Sequence, residues 1–128
     1  MSRAPFQVLV FPFYRIEPGK VEYAIFRRSD AGYWQGIAGG GEDKETPLET
    51  ARRESQEEAG IPKDTQFITL DTVSSVSVDN FADGTLWDKD ILVIPEYFFG
   101  VEMGSKEITI SAEHLEYRWV EYDEAFSI

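Results

Sequence analysis

A chain of 128 residues, 42% hydrophobic and 14% aromatic, is long enough for one domain (1–128) with a buried core and is no disordered tail. Its net charge of −12 argues against non-specific binding to nucleic acid or anionic lipid, which requires a cationic surface. The absence of cysteine and the single histidine, His114, exclude disulfides, zinc–thiolate centres, cysteine nucleophiles and multi-histidine metal sites, and no apolar run or signal-peptide pattern points to a membrane, so the expectation is a cytoplasmic domain whose chemical resource is carboxylate.

In chain order, residues 7–13 read as a strand, with Pro12 suggesting an edge position or a bulge. Glu17-Pro18-Gly19-Lys20 is a turn, and residues 21–27 alternate as the second arm of a hairpin. Residues 33–37 form a short apolar approach to three glycines, Gly39, Gly40 and Gly41, read as a glycine loop. A helix follows. Thr46 is a good N-cap, Pro47 suits the first helical position, Glu49 completes a capping box, and Gly60 and Pro62 end the helix after Ala59. Residues 66–78 read as strand, 79–90 as a polar loop, and 91–103 as a long apolar stretch interrupted by Pro95. Short strands are expected at 107–110 and 118–120, with Asp123 capping a short terminal helix. Strands on both sides of one helix indicate an α/β domain with a mixed sheet.

Charge is distributed unevenly. Residues 1–38 carry +2, residues 39–61 carry −4 and residues 79–128 carry −9. Arg27 and Arg28 therefore stand in a locally positive region suited to an anionic ligand. On a helical wheel Leu48, Ala51, Ser55 and Ala59 fall on the face expected to meet the core. Glu54, Glu57 and Glu58 crowd a separate arc in the last turns, where like charges repel and the helix dipole disfavours anions. A divalent cation held by carboxylate oxygens would compensate; a solvated acidic face is the plainer alternative.

From Gly39 the spacing is Gly39, five residues, Glu45, seven residues, Arg53-Glu54, two residues, Glu57-Glu58, one residue, Gly60-Ile61. This resembles the signature of the Nudix hydrolases, over residues 39–61. Two positions depart from the usual pattern: Ser55 stands where an aliphatic residue is common, so packing must be supplied from elsewhere or the hydroxyl must bond a carbonyl, and Lys44 replaces a frequent glycine. The resemblance implies a Nudix-type α/β/α sandwich and Mg²⁺-dependent hydrolysis of a phosphoanhydride, with Mn²⁺ as a substitute. By motif position Glu54, Glu57 and Glu58 would be metal ligands, with Glu54 or another of them activating water. Glu45 would be a secondary metal-site residue, Arg53 would hold a glutamate through an ion pair, and the Gly39 region would supply a carbonyl.

Flanking segments, Phe26-Arg27-Arg28, Trp34-Gln35 and Glu113-His114-Leu115, look like the dATP/dihydroneopterin triphosphate pyrophosphatase branch. They imply Glu113 as a further metal ligand, and Arg27, Trp34 and Gln35 as substrate-binding residues. Trp34, Phe98 and Phe99 are alternatively core aromatics, and His114 reads as a structural histidine, hydrogen-bonded near the site, rather than a general base. The implied substrate is a dNTP or pterin triphosphate, cleaved to monophosphate and pyrophosphate by a monomer or homodimer. Dinucleoside polyphosphates, ADP-ribose and nucleotide sugars are alternatives, as is a non-catalytic nucleotide-binding domain.

Overall fold

The computed structural model describes residues 3–30, 32–77, 91–112 and 114–121. In chain order the elements are β1 (Arg3–Glu17), β2 (Lys20–Arg28), β3 (Trp34–Gln35), β4 (Ile37–Glu42), α1 (Pro47–Ala59), β5 (Phe67–Ser77), β6 (Val93–Glu102) and β7 (His114–Val120). The strands form one mixed sheet in the order β3-β2-β1-β6-β5, with β4 also paired to β1 and β7 to β2. β1 and β6 run parallel, and the other pairs are antiparallel. This is the α/β arrangement with a mixed sheet that the sequence reading expects. The expected terminal helix at Asp123 and the loop at 79–90 lie outside the described residues.

β1 organises the sheet because it changes partner along its length. Its first half pairs with β4 as far as Val10 opposite Ile37, and its second half pairs with β2 from Phe13 opposite Tyr23. Pro12 falls between these pairings, where a residue without an N–H is tolerated on that side. It is therefore neither at an edge nor at a bulge, contrary to the sequence reading; it is buried in a central strand opposite Val101 of β6.

The core lies between α1 and the sheet. Val8, Val10, Phe26, Ile37, Phe99 and Val101 meet Ala51 and Ala59 of the helix, and these small residues let it approach closely. The face that α1 buries differs from the wheel reading. Leu48 is 37% exposed, whereas Thr50 and Glu58 are buried beside Ala51, Ser55 and Ala59. Thr50 tolerates burial because its hydroxyl donates to Glu45 at 2.9 Å. The Ser55 hydroxyl finds no partner among the described residues, so packing rather than a carbonyl bond accommodates it.

Both helix ends are capped. Glu49 N–H donates to the Thr46 hydroxyl, the Thr46 N–H donates to the Glu49 carboxylate, and Gly60 adopts a left-handed conformation at φ 68°. The strand expected at 107–110 does not form. Thr109 and Ser111 instead donate their N–H groups to the carbonyls of Ala59 and Glu58, serving helix-terminal acceptors that would otherwise lack partners.

Candidate active site

The three glycines form strand β4 rather than a loop, and each leaves room for a different side chain. A Cβ at Gly39 would overlap the Glu54 carboxyl group, one at Gly40 the Arg3 guanidinium, and one at Gly41 the Phe6 ring. Side chains alternate across a strand, so Gly39 and Gly41 face α1 while Gly40 faces the reverse.

Arg53 joins helix to strand. Its Nη2 donates to the Gly40 carbonyl at 2.9 Å and to Glu45 Oε1 at 3.0 Å, and its Nε donates to Glu45 Oε2 at 2.8 Å. Its Nη1 reaches Glu54 Oε1 at 2.8 Å and Glu57 Oε2 at 3.4 Å. Hydrogen bonding to Glu45 is the main reason the guanidinium pKa is raised, with Glu54 contributing and burial opposing. Glu45 is correspondingly held down at about 2, chiefly by Arg53 against the opposing effect of burial, with help from the Glu42 N–H and the Thr50 hydroxyl.

The three helix glutamates do not share one solvated surface. Glu54 is largely covered, and the Glu57 side chain is 57% exposed. Glu58 is 1% exposed, with Oε1 3.7 Å from His114 Nε2, longer than a hydrogen bond. His114 is itself buried against the Phe26 ring at 5.2 Å. Burial first, and then the charge of Arg28, lower its pKa from 6.5, while Asp30 opposes. Its Nδ1 has no hydrogen-bond partner among the described residues, contrary to the expected hydrogen-bonded structural role.

Beside this cluster lies a cleft of about 870 Å³, lined by Arg3, Arg28, Tyr33, Gln35 and the Gly39–Gly40 backbone. Arg28 binds both carboxylate oxygens of Asp30 and the Tyr33 hydroxyl.

Residues 10–128 match the NUDIX domain family. The chain belongs to the Nudix hydrolases. It is 31% identical, over 112 residues, to the asymmetrical bis(5'-nucleosyl)-tetraphosphatase of Sus scrofa, covering 87% of this chain and 71% of that protein. A Nudix hydrolase structure from Listeria monocytogenes superposes with a TM-score of 0.83 at 40% identity, covering 97% of this chain and 82% of that one. The E. coli dihydroneopterin triphosphate pyrophosphohydrolase has the same fold, with a TM-score of 0.78 at 21% identity over 99% of this chain and 87% of that chain. This Nudix domain is therefore a phosphoanhydride hydrolase acting on nucleotides, in a family that is typically divalent-metal dependent. No helix among its described residues is long and apolar enough to cross a membrane.

The structure gathers Glu45, Glu54, Glu57 and the Gly40 carbonyl around the Arg53 guanidinium, with Gly39 against the Glu54 carboxyl group and Glu58 buried one turn beyond Glu54. Glu113 lies outside the described residues. Of the three expected substrate residues, Gln35 lines the cleft and the other two do not. Arg27 pairs in register with Trp34 and bonds the Gly32 carbonyl, while the Trp34 ring lies 4.8 Å from the Arg118 guanidinium. Strand alternation turns that row away from the cleft; the immediate neighbours Arg28 and Tyr33 line it instead. Of the cleft residues the sequence reading names Arg28 as suited to an anionic ligand but neither Tyr33 nor Arg3, and only membership of the positive N-terminal region hints at Arg3. Phe99 is core, and Phe98 lines a separate apolar cleft of about 710 Å³.

In chemistry the donor set fits a hard divalent cation: carboxylate and carbonyl oxygens, one carboxylate buried at a helix end that disfavours anions, and another seated on a glycine backbone. In this arrangement Arg53 draws Glu54 and Glu57 to itself, and no three His, Asp or Glu side chains converge on a cation position among the described residues.

Proposed function

We propose that this Nudix hydrolase is a Mg²⁺-dependent pyrophosphohydrolase of nucleoside triphosphate-like substrates, a dNTP or dihydroneopterin triphosphate, releasing monophosphate and pyrophosphate. The observation that carries this reading is the Glu54 carboxyl group seated on Gly39, at the margin of a cleft that also contains Arg3 and Arg28. Glu54, Glu57, Glu58 and the Gly39 carbonyl would hold the cation, with Glu113 as a further ligand. A bound divalent cation would offset charge on the phosphate oxygens and acidify the attacking water. Glu54 orients that water and accepts its proton. Arg53 keeps Glu54 in place, and Glu45 fixes Arg53 through two hydrogen bonds. Gln35, from the cleft wall, orients the substrate.

A second reading, hydrolysis of a dinucleoside tetraphosphate, is favoured by the 31% identity with the pig enzyme. A panel of dNTPs, dihydroneopterin triphosphate, dinucleoside tetraphosphate, ADP-ribose and nucleotide sugars, assayed with and without Mg²⁺, separates the two. The expected result is fastest Mg²⁺-dependent turnover of a triphosphate. Preference for the tetraphosphate would install the second reading, and silence across the panel would sink both.

A further inference from the structure

Gly40 is not a fixed position of the family signature, yet its lack of a side chain is used. The three atoms nearest to a Cβ placed there all belong to the Arg3 guanidinium and its Nε, so the guanidinium covers the glycine backbone. Arg3 starts β1, opposite Glu42 in register, and its Nη2 donates to Gln7 Oε1 at 3.3 Å. The pairing of β1 with β4 is irregular between Arg3 and Gln7, next to where the guanidinium crosses Gly40. Arg3, Gln7, Gly39 and Gly40 line the same polar cleft. Burial is the main influence on the Arg3 guanidinium and lowers its pKa, with the nearby charge of Glu54 opposing and that of Arg53 adding to the effect.

A cation on the cleft side favours the approach of an anionic substrate. An anionic substrate must approach a helix end bearing Glu54, Glu57 and Glu58, and the charge of Arg53 is engaged by Glu45, Glu54 and Glu57. On the cleft side Arg28 binds Asp30 bidentately. Arg3 brings a guanidinium to the cleft wall at Gly40, the strand neighbour of Gly39, where Glu54 is seated.

We propose that Arg3 is a substrate-binding residue that holds a phosphate of the polyphosphate chain, and that position 40 is glycine to admit its guanidinium. The proposal rests on the hydrolase reading and names a contact of that same site. Arg3 binds by charge-assisted hydrogen bonds, so it recognises the phosphate chain whatever base or pterin is attached.

The experiment is a double-mutant cycle on Arg3→Ala and Gly40→Ala. It is read by calorimetric binding of inorganic tripolyphosphate in Mg²⁺, which requires no turnover and so stands apart from the substrate panel. Each single substitution is expected to weaken binding about ten- to a hundredfold, the range for hydrogen bonds to a charged group. The double variant is expected to be no weaker than Arg3→Ala alone, because Gly40→Ala acts by displacing Arg3. Arg3→Lys should restore part of the affinity, and KM for the best substrate should rise more than kcat falls. Binding by Arg3→Ala within twofold of wild type overturns the proposal, as does full additivity of the pair or no binding of tripolyphosphate to wild type. Loss of affinity that Lys does not restore, and that follows a fall in melting temperature, also overturns it by assigning Arg3 a structural role. Turnover in the panel together with any of these results would leave the hydrolase reading standing.

Discussion

The two ends of α1 obey opposite rules. At its N-terminus Thr46, Pro47 and Glu49 satisfy the free N–H groups and place negative charge where the helix dipole favours it. Its last turn has no basic residue, and the second half of the helix carries Glu54, Glu57 and Glu58. One end is built for stability. The other accepts repulsion, and a single arginine offsets part of it. Where a sequence keeps the local rules at one end of an element and breaks them at the other, the break marks the working end.

Substitutions at the two ends should therefore separate activity from stability. Glu58→Gln should lower kcat by at least about a hundredfold, beyond the usual effect of losing a partner outside the ligand shell. Its melting temperature in chelator should be no lower than that of wild type. Wild-type turnover would remove Glu58 from the site, and a collapsed melting temperature would make its role structural. Arg53→Lys keeps the charge but loses the fork that spans Glu45, Glu54 and the Gly40 carbonyl, so a drop of about ten- to a hundredfold in activity or metal affinity is expected. An activity titration with Mg²⁺ checks this, and equal performance by Lys would reduce Arg53 to a counter-charge.

Glu45 links the site to pH. Its folded pKa of about 2 lies below the ordinary 4.5, so its contribution to stability is complete above pH 4.5 and is lost as pH falls toward 2. Acid unfolding of Glu45→Gln, followed by circular dichroism, should be less steep in that window; an unchanged slope would contradict the depressed pKa. At the other end, Thr46→Ala should cost about 1 kcal/mol and leave kcat/KM unchanged. A melting curve and a rate assay on the same sample test both halves of that statement. The smallest effect should come from Ser55→Ala, which removes a buried hydroxyl without a partner among the described residues and should stabilise by about 0.5–1 kcal/mol. A lower melting temperature would mean that the hydroxyl is bonded.

The legibility of the sequence follows the same division. The helix limits, its caps and the β1–β2 hairpin rest on contacts between near neighbours, and the sequence reading of them agrees with the structure. The glycine run was harder to read, because three glycines suggest a loop until a strand is present to pair with them, and β1 supplies that pairing from about thirty residues away. Glu58 looked exposed on a wheel because a wheel contains no sheet and no His114. Arg27 and Trp34 lie one residue out of phase with the residues that line the cleft, and strand alternation turns such a step into the opposite face. Arg3 has no motif at all; its position depends on Gly40 and on where β1 begins.

β1 spends its length on three partners, and this has a kinetic consequence. The parallel partner, β6, begins some ninety residues after β1 does, whereas β2 follows through a tight turn. The hairpin and the capped helix are local and can form early. The strand that seats Glu54 on Gly39 is held through the half of β1 that also pairs with β6. In refolding, catalytic competence should therefore appear with the slow, long-range closure of the chain rather than with the early rise in helix signal.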